Sequence, residues 1–150
     1  MLERRKARIA ALEVLYQRDI TGSFLEELLK HRTSALTTET EPLSDFALRL
    51  IRGTIEHQEE IDNLISEKAD NWALDRIAVV DRNILRLSIY SLLYEKDIPA
   101  GVTINEAIEL AKIYGEADSS KFINGILGGI AREIEKETPK EELEDEKRQE

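Results

Sequence analysis

Between Asp81 and Glu95 the apolar residues Ile84, Leu85, Leu87, Ile89, Tyr90, Leu92, Leu93 and Tyr94 recur too densely to form a single stripe. Wound at about 3.6 residues per turn, they point in nearly every direction. A helix that is apolar all round is buried all round, so the pattern predicts a central helix with the other elements packed about it. Ser88 and Ser91 flank the direction of Ile84. They read as small packing positions that let a neighbouring helix approach, and not as nucleophiles.

On either side of that run the spacing is three and four. Ile9, Leu12, Tyr16 and Ile20 predict a first helix from Glu3 to about Ile20 with one buried face, stopped by Gly22. A short helix over about 24–30 leads into a Thr, Ser and Pro-rich stretch at 33–45 that reads as a surface loop. Ser44 or Asp45 can cap the next helix, whose apolar positions Ala47, Leu50, Ile51, Thr54, Ile55, Ile61 and Ile65 keep their phase without interruption, predicting one long amphipathic helix. His57 falls on its polar side as a surface residue. After a linker at about 70–75 and the central helix, Pro99 and Gly101 break the chain, and a helix is expected to start near Thr103 or Asn105. Its inner face would carry Ile104, Ala107, Ile108, Ala111 and Tyr114, and its outer face Glu106, Glu109 and Lys112. Gly115 stops it, and Asp118 or Ser119 caps a last helix with Phe122, Ile123, Ile126, Leu127, Ile130 and Ile134 inside. Gly125, Gly128 and Gly129 interrupt that last helix. Each costs about 1 kcal/mol relative to alanine, which predicts the close approach of another backbone.

No alternating strand pattern competes. The expected fold is all-α, six or seven helices in one domain, with an N-terminal group at about 3–68, a C-terminal group at about 72–134, and an acidic, disordered tail at 135–150. In that tail only Leu143 is substantially apolar, too little to offset the entropy of ordering.

Composition narrows the chemistry. With 150 residues the chain is large enough for a core of its own; with no cysteine and only His31 and His57, thiolate sites are excluded and a histidine metal cluster is not expected. No cofactor is implied. No phosphate loop, dinucleotide fingerprint, HExxH or nucleophile elbow occurs, so a reaction is not expected either. The start lacks a secretory leader and no run is long and apolar enough to span a bilayer, which makes a cytoplasmic location the expectation.

Charge is distributed unevenly. The chain carries −10 overall, yet Arg4, Arg5, Lys6, Arg8 and Arg18 outnumber Glu3 and Glu13 in its first 18 residues. Local potential, more than the sum, attracts a polyanion. Those cations followed by Tyr16 combine phosphate contacts with a ring on which a base can stack, the pairing used on single-stranded nucleic acid. The same residues also suit a solvated helix start. A second feature is Asp118-Ser119-Ser120-Lys121, where free N–H groups and Lys121 could hold a phosphate, or where an ordinary cap could sit.

Four stretches carry a resemblance: RRKARIAALEVLY at 4–16, W-x3-R-x4-DR-x-ILR from Trp72 to Arg86, VTINEAIELAKIYG at 102–115 and SSKFINGIL at 119–127. In this order they resemble the NusB family of transcription antitermination factors over about residues 4–134. The resemblance implies two closely packed helical bundles and no enzymatic activity. It implies binding to the boxA element of nascent RNA together with NusE, a small-subunit ribosomal protein, within an antitermination complex on RNA polymerase transcribing ribosomal RNA operons. It places RNA contacts at Arg4, Arg5, Arg8, Tyr16, Asp118, Lys121 and Phe122, and NusE docking at Asp81 on an exposed helix start. Some members dimerise, so a homodimer of the free protein is among the implied states. Departures from the family pattern are a short basic run with Lys6 among its arginines and an unusually acidic tail. Two other classes stay open: a helical protein-binding adaptor, and an RNA-binding domain like that fused to ribosomal RNA cytosine methyltransferases, here without a catalytic domain.

Overall fold

In the computed structural model the chain is described over residues 2–30, 42–69 and 73–137. These form seven helices and no strand: α1 (Leu2–Thr21), α2 (Leu25–Lys30), α3 (Asp45–Glu56), α4 (Gln58–Lys68), α5 (Val79–Tyr94), α6 (Ala100–Tyr114) and α7 (Ser119–Glu137), with a 3-10 turn at Leu74–Arg76. The expected loop at 33–45 lies outside the described residues except for its last four, as do Trp72, His31 and the tail beyond Glu137.

The dense apolar run became the centre. Along α5, every side chain from Asn83 to Leu92 is buried, because α1, α3, α4, α6 and α7 all pack against it. Ile84, Leu85, Leu87 and Ile89 are among the most enclosed side chains of the molecule. Each such aliphatic group contributes about 1.5–3 kcal/mol of transfer free energy. Ser88 and Ser91 lie buried among them, as packing positions should.

Two arginines and an asparagine of α5 are tied to the N-terminal helices. The Asp19 carboxylate on α1 accepts from Arg82 Nε at 3.0 Å, Asn83 Nδ2 at 2.9 Å and Arg86 Nη1 at 2.9 Å. Arg86 also donates in a fork to both oxygens of Asp62 on α4, at 2.8 and 3.0 Å. Three helices are therefore locked to one buried guanidinium.

Several expectations are corrected. The first helix buries Ala7, Ala11, Leu12, Val14 and Leu15, whereas Tyr16 and Ile20 stand 38% and 57% exposed. The buried face is rotated toward the small residues because α3 and α5 together cover that side. The long amphipathic helix is two, broken at His57. Hydrogen bonds from His57 N–H to Gly53 and from Ile61 N–H to the His57 carbonyl keep the three-four spacing in phase across the bend, so periodicity could not show it. The break lets α3 lie on α1 while α4 turns to α7. It also puts the His57 ring in a 4.0 Å stack on Tyr94, half-buried and not a free surface group. Helix α6 starts at Ala100, with the Pro99 carbonyl accepting from Val102 and Thr103, so Gly101 sits in its first turn and does not break it. The α7 glycines meet no backbone: around Gly125 the space is open, and Gly128 and Gly129 face only flexible Arg132 and Lys68 side chains. Two glycines are tight: Gly53 on α3, against which the Tyr90 ring lies, and Gly115, where a Cβ would meet Ser119 and the Ala111 carbonyl.

Turn chemistry behaved as read. Gly22 takes φ +69, where a side chain would be strained, and its N–H closes α1 on the Arg18 carbonyl at 2.9 Å. Ser44 Oγ caps α3 by accepting from the Ala47 N–H at 3.1 Å.

Candidate nucleic-acid interface

The basic start of α1 is not a row of loose cations. Arg4, Arg5 and Lys6 are exposed, but Arg5 makes a forked ion pair with Glu106 of α6, Nε and Nη2 each 3.0 Å from a carboxylate oxygen. Glu106, expected on the outer face, is thus a partner of the predicted phosphate-binding residues. The Arg5 hydrogen bond holds its carboxyl below the usual range. Arg8, four residues after Arg4 on the same helix face, is only 7% exposed, contrary to the expectation of a solvent-edge residue. Burial lowers its pKa, with Glu106 opposing that shift and Arg4 and Arg5 adding to it. It remains a cation with its guanidinium 5.6 Å from the centre of the Phe46 ring.

Side chains of α1 reach α6 at two points in the same chain order. Arg5 meets Glu106 across 101 residues of sequence, and the charge of Glu13 reaches Tyr114 at the same offset. One turn beyond Glu13, Tyr16 is therefore level with the connection from α6 to α7. Its ring is exposed enough to take a stacking base on one side, which the buried position expected for it would have forbidden.

At that end of the molecule a cleft of about 250 Å³ opens between the 3-10 turn, the start of α5 and the start of α7. Arg76, Ile77, Ala78, Asp81, Glu116, Asp118, Ser119 and Phe122 line it. The fold thus brings Asp81, predicted for a protein partner, together with Asp118 and Phe122, predicted for RNA. Lys121 is exposed and stands outside this lining.

Asp81 is neither exposed nor a cap. It sits in the first turn of α5, whose N-cap is Ala78, and is 8% exposed. Its Oδ2 accepts from the Ser119 hydroxyl at 2.9 Å, and its Oδ1 is buried without a hydrogen-bond partner. Burial pushes the Asp81 carboxyl up, the Ser119 hydrogen bond pulls it partly back, and Glu116 adds to the rise. Ser119 in turn accepts the Glu116 N–H at 2.9 Å, pinning the tight connection, so this serine is a bracket between helices and not a free cap. A buried acceptor left unpaired at the floor of an acidic cleft is suited to a cationic or N–H donor brought by a partner.

Residues that sequence reasoning missed are Glu106, Phe46 and Arg49. The local pattern around each is ordinary, and their contacts cross between helices: Glu106 of α6 with Arg5, Phe46 of α3 with Arg4 and Arg8, and Arg49 of α3 with Glu95 at the end of α5. A cluster of guanidinium groups, an exposed tyrosine and a cleft with an unsatisfied carboxylate can bind a phosphate chain and a polar protein segment on adjoining surfaces.

The family model described as the NusB family matches residues 5–132. The transcription antitermination protein NusB of Symbiobacterium thermophilum is 44% identical over 141 residues, covering 87% of this chain and 90% of that protein. Among solved structures, NusB of T. maritima aligns with a TM-score of 0.77 and 46% identity over 94% of this chain and 96% of its own. A crystal structure of the antitermination factors NusB and NusE in complex with double-stranded RNA aligns with a TM-score of 0.76 and 31% identity, covering 88% of this chain and 98% of that one.

Proposed function

This chain belongs to the NusB family, and from that premise we propose that it is an antitermination factor binding the boxA element of nascent ribosomal RNA transcripts jointly with NusE. The observations that carry the reading are the exposed Arg4, Arg5 and Tyr16 of α1 and the separate cleft lined by Asp81, Asp118 and Phe122. Arginines neutralise phosphates, Tyr16 stacks on a base, and Lys121 and Phe122 continue the RNA path at the start of α7. Asp81 meets NusE from the cleft floor. No reaction is assigned to the chain. It acts in the cytoplasm as part of the assembly on RNA polymerase, and no described helix is long and apolar enough to cross a membrane.

Titration with a boxA RNA and a scrambled RNA, each with and without NusE, tests this reading. Preference for boxA that strengthens with NusE is the expected outcome; equal binding of both RNAs in both conditions would leave only a general RNA-binding domain, and none at all an adaptor. Arg4→Ala should lower the slope of log affinity against log salt by about 0.7, since each phosphate contact releases condensed counterions. Tyr16→Ala should cost about 1 to 3 kcal/mol of binding with the slope nearly constant, because stacking carries little charge. Tyr16→Phe should retain both.

Asp81→Asn is the informative change in the cleft, as a lysine there would bury an ammonium group. The folded carboxyl is raised above its unfolded value. Its contribution is therefore most favourable below the ordinary carboxylate pKa, and is lost as pH rises through the folded value. The amide removes that loss and still accepts from Ser119, so thermal stability at neutral pH should hold or rise while NusE affinity falls. Unchanged NusE affinity by calorimetry would take Asp81 out of the interface.

A further inference from the structure

Three guanidinium groups converge on the ring of Phe46: Arg4 at 5.0 Å, Arg49 at 5.2 Å and Arg8 at 5.6 Å from its centre. Arg4 and Arg8 come from α1, Arg49 and Phe46 from the first turns of α3. The ring face attracts cations and holds planar guanidinium groups in fixed orientation. The cations nevertheless repel one another, and the fold neutralises them incompletely. Glu95 at the end of α5 binds Arg49 Nε at 2.5 Å, and the forked pair on Glu106 is taken by Arg5. Among the described residues no carboxylate is bonded to Arg4 or Arg8.

Arg49 is half exposed even though its carboxylate partner is buried. Glu95 therefore anchors the guanidinium at one edge and leaves its other donors facing outward, beside two cations to which no described carboxylate is bonded, Arg8 feeling Glu106 only at a distance. A phosphate offers the missing counter-charge and several acceptor oxygens matched to guanidinium forks.

We propose that Arg4, Arg8 and Arg49, gathered on the Phe46 ring, form a phosphate-binding site that carries the RNA backbone from α1 onto α3. Arg4 and Arg49 make the contacts, buried Arg8 backs them with its charge, and Phe46 is the positioning residue. This rests on the RNA-binding reading above and extends it to a helix not otherwise assigned to it.

Binding of boxA RNA by the full chain with NusE, measured over a range of salt concentrations, tests the site. Arg49→Gln should weaken binding about tenfold at low salt, as expected for loss of a hydrogen bond to a charged group, and lower the log–log salt slope by about 0.7. A purely structural role for Arg49 would lower thermal stability and leave that slope alone. Because Arg49→Gln strands the buried Glu95, the double change Arg49→Gln, Glu95→Gln serves as a second variant and should show the same slope loss. Arg52→Gln, three residues along α3 and paired with Glu26, should leave affinity and slope unchanged. Phe46→Leu should weaken binding at constant slope, and Phe46→Tyr should restore it. If Arg4→Ala lowers the slope and neither Arg49 variant does, the site on α3 is overturned and the α1 contact stands. If none of them changes affinity or slope, the RNA-binding reading itself falls.

Discussion

Arg86→Met is expected to cost about 3 to 5 kcal/mol of folding stability, the range for removing one member of a buried ion pair and leaving the other without its counter-charge. The guanidinium is 7% exposed and serves both Asp62, through a fork, and Asp19. Methionine fills similar volume but leaves two carboxylates, each about four-fifths buried, facing it. Asp19 retains Arg82 and Asn83, whereas Asp62 loses both its bonds, so the larger part of the cost falls on α4. The denaturation midpoint should shift at constant m-value. A loss under about 1 kcal/mol would mean that solvent already compensates the network, as it does for surface pairs.

The same residue shapes the acid limb of stability. Burial alone would raise the Asp19 carboxyl, but the Asn83 amide and the Arg82 and Arg86 guanidinium groups outweigh it and hold the pKa below the usual value. A depressed folded pKa contributes stability above the unfolded carboxylate value, about 3.9. That contribution disappears as pH falls through the folded value. Removal of Arg86 should therefore flatten the loss of stability below about pH 4.

Gly53→Ala is expected to be clearly destabilising, although helix propensity favours it by about 1 kcal/mol. A Cβ there would fall inside the van der Waals surface of the Tyr90 ring, with even the phenolic oxygen only 2.6 Å away. The ring cannot simply swing aside. It stacks 5.6 Å from Tyr94 and 6.3 Å from His57, which are themselves in contact. Overpacking of this kind costs about 1 to 3 kcal/mol, and with no flexible neighbour to yield the net effect should be a loss of about 2 kcal/mol. Tyr90→Phe, Gly53→Ala should recover little of it, since the clash includes ring carbons. Ala at Gly125, where space is open, should instead be neutral or stabilising. The pair of substitutions, compared by thermal unfolding, separates propensity from packing.

These two glycines show where local reading stops. Three glycines in one helix suggested a close backbone, but a glycine's cost is local and its reason is not. Only the opposing side chain reveals whether the missing Cβ matters, and for Gly53 that side chain is 37 residues away on α5. His57 gives the same lesson, because an unbroken three-four phase is compatible with a straight helix and with one that bends between two partners.

The amino-acid sequence by itself determined the all-helical class, the central place of α5, the signals of Gly22 and Ser44, the concentration of cations at the start of α1 and the family resemblance. Each depends on spacing within one segment or on residue identity, and helical periodicity carries that information directly. Only the tertiary structure decided which charges are available. Arg5 is occupied by Glu106 from a helix 101 residues away, Arg8 is buried on Phe46, and Asp81 lies sunk in a cleft closed by Ser119. The state of a charge depends on desolvation and on the nearest opposite charge. Both are set by helices that meet only after the chain has folded.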